Sequence, residues 1–153
     1  MEIEILRFRC PGLEDGGRFP LDNTGRGKDL SPEIVLENLS PQARTLAVTL
    51  EDMSHPVKGF THWVMWNFPA RKVIPGGIPQ RDRLESGVTQ GMAYGVHRYA
   101  GPKPPIWAVH RYRLTVYALD CALGLSSNSR KKHFLKAAEG HILQQGSLTA
   151  QFG

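Results

Sequence analysis

Cysteine is scarce in this chain. Cys10 and Cys121 are its only two thiols, too few for a disulfide framework, and neither has a second cysteine at metal-binding spacing. Both are read as structural or inert. Long apolar runs are also missing: none approaches the roughly 20 residues that a membrane helix needs. The start, MEIEILRFRCPGLEDGG, places Glu2 and Glu4 where a secretory signal would carry basic residues ahead of an apolar stretch. A cytoplasmic location is therefore expected. No long basic run interleaved with aromatics occurs; the densest cluster is Arg130-Lys131-Lys132. Nucleic-acid binding is disfavoured on that ground, although the net charge is +5. There is no Gly-x-Ser-x-Gly and no activated nucleophile with a neighbouring base, so no catalytic residue is assigned.

Turn formers are plentiful, with 16 glycines and 11 prolines. They cluster in EDGG near 14–17, NTGRG at 23–27, IPGGIP at 74–79, GPKPP at 101–105 and LGLSSNS at 123–129. Short alternating or β-branched segments lie between them, which is the spacing of an all-β sandwich in one domain spanning 1–153. Strands are expected at 2–9, 45–51, 62–68, 110–120 and 147–152, with weaker ones near 33–38 and 86–94. One helix is expected near the C-terminus. Ser129 would cap it, and Phe134, Leu135, Ala138 and Ile142 recur at helical spacing. Lys131 and His133 are assigned to its solvated face, and Gly140 to its interior or its end.

Strand side chains alternate between faces, so residues of equal parity share one. Leu46, Val48 and Leu50 run into Asp52. His62 opens the set Val64, Trp66, Phe68. His110 and Tyr112 open the set Leu114, Val116, Ala118. If the three strands are antiparallel neighbours, one carboxylate, two imidazoles and a phenol meet at a single rim. The connections MSHPVKGFT and GPKPPIWAV would wall the resulting cleft. Imidazole N–H groups and a phenol O–H suit a phosphate, sulfate or carboxylate head group. Gly101 would let a ligand approach, and Pro102, Pro104 and Pro105 would stiffen the wall. Trp63 and Trp66 are read as packing residues; Trp107, beside the Pro-rich loop, is the tryptophan best placed to stack on a ligand. His97 and Arg98 are read as loop residues.

The segments LEDMSHP…THWVMWNFP, AYGVHRYAGPKPPIWAVHRYRLTVYALD and FLKAAEGHILQQGSLTAQF, in that order, resemble the phosphatidylethanolamine-binding protein family. That family includes the Raf kinase inhibitor proteins, and the AEGHIL ending is similar to its prokaryotic, Raf-kinase-inhibitor-like branch. The resemblance covers residues 29 to 153 and begins at Leu30-Ser31-Pro32. It implies a mainly β, antiparallel sandwich-like fold with a few peripheral helices. It also implies an anion cavity built from Asp52, His62, His110 and Tyr112, with Pro56 and the Gly101–Pro105 loop as walls. The family pattern Asp-Pro-Asp-Ala-Pro reads Asp52-Met53-Ser54-His55-Pro56 here, which replaces an acid by Ser54 and adds His55. Ile106-Trp107 stand where a small residue is common, which predicts a narrower cleft.

The expected function is a non-enzymatic binding module for phosphate, a phosphoethanolamine-like head group or a similar anion. A protein partner such as a kinase or protease, and a homodimer, are further expectations. No cofactor and no resident metal are expected. The alternative is a metal-dependent enzyme using Asp52, His62 and His110 as a two-His-one-carboxylate site.

Overall fold

The computed structural model describes residues 2–153. Among these residues nine strands form two sheets: β1 (Glu4–Ile5), β2 (Phe8–Arg9), β3 (Ile34–Leu36), β4 (Thr45–Asp52), β5 (Phe60–Pro69), β6 (Val73–Ile74), β7 (Thr89–Gln90), β8 (His110–Leu119) and β9 (Ile142–Phe152). The larger sheet has the order β1-β9-β8-β4-β5-β7 and the smaller one β2-β3-β6. All pairings between these strands are antiparallel except β1 with β9, which is parallel. The single α-helix among the described residues, α1, is Lys131–Ala138.

Two apolar layers hold the sheets. Leu46, Val48 and Leu50 of β4 pack with Trp63 and Met65 of β5, Leu114 and Val116 of β8, Leu148 of β9, and Ile34, Leu36 and Ile74 of the small sheet. On the opposite face, Ala47, Val64, Trp66, Tyr117 and Leu119 meet Phe134 and Ala138 of α1. Phe134 lies parallel to Trp66, with centroids 6.3 Å apart, and meets Tyr117 edge-on at 5.1 Å. All eight residues of β4 are consequently buried, since this central strand has core on both sides.

The mainly β architecture with a helix near the C-terminus agrees with the sequence reading, and several boundaries change. The expected strand 2–9 is two short strands serving different sheets: β1 pairs with β9, and β2 with β3. The last strand starts at Ile142, not near 147, so Ile142 belongs to β9 and not to the helix. The helix N-cap is Arg130 rather than Ser129, and its N–H donates to His133 Nδ1 at 2.9 Å. Gly140, at φ +80°, follows the helix and supplies the left-handed turn into β9. Of the 86–94 segment only Thr89–Gln90 forms a strand. Lys131 is not simply solvated: its ammonium pairs with Glu51, a carboxylate that Arg113 also approaches at 3.6 Å.

Candidate functional site

β4 is flanked by β5 and β8, and Asp52, its last residue, lies directly opposite Phe60 on one side and Tyr112 on the other. Regular alternation along β4 and β8 places Asp52 and Tyr112 on the face of Leu50 and Leu114, as parity predicts. β5 behaves differently because it carries two bulges. Leu50 faces Trp63 while Glu51 faces Thr61, so His62 has no partner residue on β4. At the other end Leu46 faces Phe68 while Val48 faces Met65, with Asn67 at φ +62° inside the irregularity. The side chain of Asn67 is tied to Leu123 by two hydrogen bonds, Nδ2 to the Leu123 carbonyl at 2.9 Å and the Leu123 N–H to Oδ1 at 2.7 Å. Val64 and Trp66 therefore face α1, not the main core, and His62 reaches the rim by way of its bulge.

The resulting cavity has a volume of about 290 Å³ and is lined by Asp52, His55, Phe60, His62, Tyr94, Lys103, Pro104, Pro105, His110 and Tyr112. That is the small end for small-molecule sites. Six residues singled out in the sequence converge here: Asp52, His62, His110, Tyr112, Pro104 and Pro105. Gly101, Pro102, Pro56 and Trp107 lie off its lining. Gly101 is buried behind the wall, where an added Cβ would sit 2.4 Å from the Asn23 carbonyl oxygen. Its missing side chain serves packing against the N-terminal loop rather than approach by a ligand. Pro102 is buried as well, and its carbonyl accepts from the Gly25 N–H at 2.9 Å. Pro56 is exposed, and Trp107 is 85% exposed, so Trp107 points away from the cleft and does not narrow it.

His55, Phe60, Tyr94 and Lys103 complete the lining. His55 stacks on Phe60 with centroids 4.0 Å apart and 7° between planes. Tyr94 holds φ +54° in the AYG turn and packs 4.6 Å from the His62 ring. Alternation could not have found these side chains except Phe60, which opens β5 in direct register with Asp52. The lysine between the prolines of GPKPP was the available signal for Lys103. His97 is turned to the Gln90 carbonyl, and Arg98 pairs with Asp29 at 3.1 Å.

The wall is braced from the N-terminal loop. Asp29 accepts from the Gly101 N–H at 2.7 Å, Arg26 donates to the Pro104 carbonyl at 2.6 Å, and Tyr99 Oη donates to the Asn23 carbonyl at 2.6 Å. Proline removes backbone donors from this segment, so contacts made through its remaining carbonyls and amides fix its position.

The polar groups differ sharply in how well they are satisfied. His110 Nδ1–H donates to Asp52 Oδ2 at 2.7 Å, and the Ser54 N–H donates to Asp52 Oδ1 at 2.9 Å. Both carboxylate oxygens are thus engaged, and the His110 ring is oriented by its partner. Ser54 Oγ accepts from the Arg111 N–H at 2.9 Å, which fastens the β4–β5 connection to β8. His62 Nδ1–H donates to the Ala100 carbonyl at 2.7 Å, which leaves Nε2 as the free ring nitrogen. Burial among Phe60, Tyr94 and Tyr112 holds the His62 imidazole below its ordinary value; the Ala100 and Gly101 backbone and the Asp52 charge oppose that shift only in part. Tyr112 is 0% exposed, and its hydroxyl has no hydrogen-bond partner among the described residues. Burial, followed by the Asp52 charge, raises the Tyr112 phenol well above its ordinary value, with the nearby Lys103 backbone and Arg26 opposing only in part, so it stays an O–H donor at neutral pH.

The family model for phosphatidylethanolamine-binding protein matches residues 11–153, nearly the whole chain and the entire cavity. The chain belongs to this family. Its curated relatives include a UPF0098 protein of Pyrococcus horikoshii, 36% identical over 138 residues that cover 88% of this chain and 70% of the relative. A UPF0098 protein of Methanothermobacter thermautotrophicus is 34% identical over 145 residues, covering 94% of this chain and 95% of the relative. Among solved structures, a phosphatidylethanolamine-binding protein homologue of Chlamydia trachomatis superposes with a TM-score of 0.85 at 24% identity, covering 98% of each chain. YbcL of Escherichia coli, described as a new member of the mammalian family, also gives a TM-score of 0.85, at 22% identity, covering 96% of this chain and 97% of that one. These two structures establish the shared fold.

For the metal-enzyme alternative, the relevant geometry is donor spacing. A set of three His, Cys, Asp or Glu donor atoms within 4.8 Å of one another occurs among the described residues at Asp120, Cys121 and His141, and not at Asp52, His62 and His110. In the cavity, both Nδ1 atoms and both Asp52 oxygens are already committed to other partners. No helix among the described residues is long and apolar enough to cross a membrane.

Proposed function

We propose that this chain is a non-enzymatic binding protein whose cavity takes a small phosphate-class anion, either free or as a phosphoethanolamine-like head group. The observation that carries the reading is the unpartnered, fully buried Tyr112 O–H beside an imidazole pinned by Asp52. A buried polar group without a partner costs about 1–3 kcal/mol, so a ligand oxygen that accepts from it recovers that cost. Lys103 adds a positive charge at the lining, and Asp52, both oxygens engaged, is paired with His110 rather than facing a ligand alone. The His62 Nε2 suits either a protonated phosphate oxygen or, once charged, an anionic one.

A protein partner fits the same mouth. Between Pro105 and His110, which both line the cavity, the chain exposes Ile106, Trp107 and Val109. Regulation of a kinase or protease through this rim is the extension that the family resemblance implies, with the ligand as the modulator.

Calorimetric titration with phosphate and with phosphoethanolamine, on the wild type and His110→Ala, tests the cavity reading. Saturable binding that the variant weakens supports it. Equal affinity in both proteins removes His110 from the site, and heatless, shift-free titrations of the wild type oppose the anion assignment. Tighter binding of phosphoethanolamine than of phosphate would select the head group over the free anion.

A further inference from the structure

At the end of β8 farthest from the cavity, three different metal-binding donors come together. Asp120 and Cys121 follow the last residue of β8, and His141 lies between α1 and β9. The His141 Nδ1–H donates to Asp120 Oδ1 at 2.9 Å, and the Cys121 sulfur lies within 4.8 Å of a ring nitrogen of His141 and a carboxylate oxygen of Asp120. The two segments are held together by backbone, not only by these side chains. The Asp120 N–H donates to the His141 carbonyl at 3.0 Å, and Thr45 Oγ1 donates to the Cys121 carbonyl at 2.7 Å. The His141 N–H is itself fixed on the Ala138 carbonyl at 2.9 Å, at the end of α1. The sequence reading treated Cys121 as inert because no second cysteine stands near it; the partners it meets are instead an adjacent aspartate and a histidine twenty residues away.

We propose that Asp120, Cys121 and His141 form a second, independent site that binds a zinc-class divalent ion, with the fourth coordination position open to solvent. The donor set decides the class of ion. Thiolate plus imidazole selects zinc and its neighbours over magnesium and calcium, which take oxygen ligands. Bond lengths of about 2.0 Å to nitrogen and oxygen and about 2.3 Å to sulfur put the tetrahedral donors of this set roughly 3.3–3.5 Å apart. A spread of at most 4.8 Å closes to that by side-chain rotation on a backbone already in place. On binding, the metal–sulfur bond forms as the S–H bond breaks and its proton leaves to solvent. His141 ligates through Nδ1 with its proton on Nε2, and the carboxylate of Asp120 exchanges its bond to the imidazole for one to the ion. The open fourth position accepts water or a donor from another molecule.

Cobalt(II) is the probe, because a thiolate ligand gives it a sulfur-to-metal charge-transfer absorption in the near ultraviolet. Cys10 contributes little background: it is buried, and that burial pushes its thiol up to about 12. The wild type is titrated with cobalt and then with zinc as competitor, beside Cys121→Ser and His141→Ala, whose folding is checked by circular dichroism. The expected result is one equivalent of cobalt with the charge-transfer band, displaced by zinc. Cys121→Ser loses the band, and His141→Ala weakens binding by roughly tenfold or more. Absence of the band in the wild type, its survival in Cys121→Ser, or unchanged affinity in His141→Ala would each overturn the proposal. None of these outcomes bears on the anion cavity.

Discussion

His110 donates from Nδ1 to Asp52 Oδ2 across 2.7 Å, joining the start of β8 to the end of the neighbouring strand β4. Both side chains are largely buried, so the bond fixes the imidazole's orientation as well as contributing to stability. Asp52→Ala removes the acceptor and leaves the ring and the Ser54 N–H without it. We expect a loss of about 1.5–3 kcal/mol in urea denaturation, the range for hydrogen bonds to charged groups. A loss below about 0.5 kcal/mol would show that solvent replaces the carboxylate freely.

Tyr112→Phe is expected to separate stability from binding. The variant deletes a buried hydroxyl that has no partner, so folding stability stays level or rises by about 1 kcal/mol. Phosphate affinity falls over the same substitution by about fivefold, the equivalent of about 1 kcal/mol. Paired denaturation and calorimetry measure both numbers. A destabilised variant with unchanged affinity would mean that the hydroxyl serves the fold.

His62 gives the protein a defined pH response. Its folded value lies below the ordinary 6.5 because the ring is buried. As pH falls through about 6.5 the unfolded chain takes up a proton that the folded chain still refuses. This group therefore lowers stability as pH drops from that point, until the folded value is passed. A bound anion favours the charged ring, so affinity for sulfate, whose own charge is constant here, rises over the same window. Asp52, His55, Tyr94 and Tyr112 also face or charge this ring. Comparison with His62→Gln isolates its part: the wild type should show the steeper pH dependence in both measurements, and parallel slopes would contradict the assignment.

Asn67 sets the bulge that turns β5, through two hydrogen bonds to Leu123 and a left-handed backbone. Asn67→Gly keeps the conformation and loses the bonds; Asn67→Ala loses both. Denaturation should therefore rank wild type above Gly above Ala, with about 1 kcal/mol between the two variants. Reversal of that order would mean that φ at this position carries no cost.

Alternation read β4 and β8 well because they pair with each other in unbroken register from Thr45–Leu119 to Asp52–Tyr112, so Asp52, His110 and Tyr112 fall where parity puts them. In β5 the same rule brought His62 to the correct rim by a false route. It grouped His62 with Val64 and Trp66, which face α1, and only the bulge at His62 turns the ring toward Asp52. A bulge depends on pairing with another strand, and a single strand's pattern does not contain that. The same limit hid Tyr94, left His55 and Lys103 legible only as members of the two wall connections, and split the N-terminal segment between two sheets. Gly101 was legible as a special position, but the reason, close packing on Asn23, needed the third dimension.

The most direct measurement of the central claim is proton NMR of the imidazole and phenol resonances during phosphate titration. His62, His110 and Tyr112 should shift saturably with one dissociation constant, while His133 and His141, outside the cavity, stay still. Uniform small shifts at all histidines, or no shift at the cavity residues, would contradict an anion site at Asp52, His62, His110 and Tyr112.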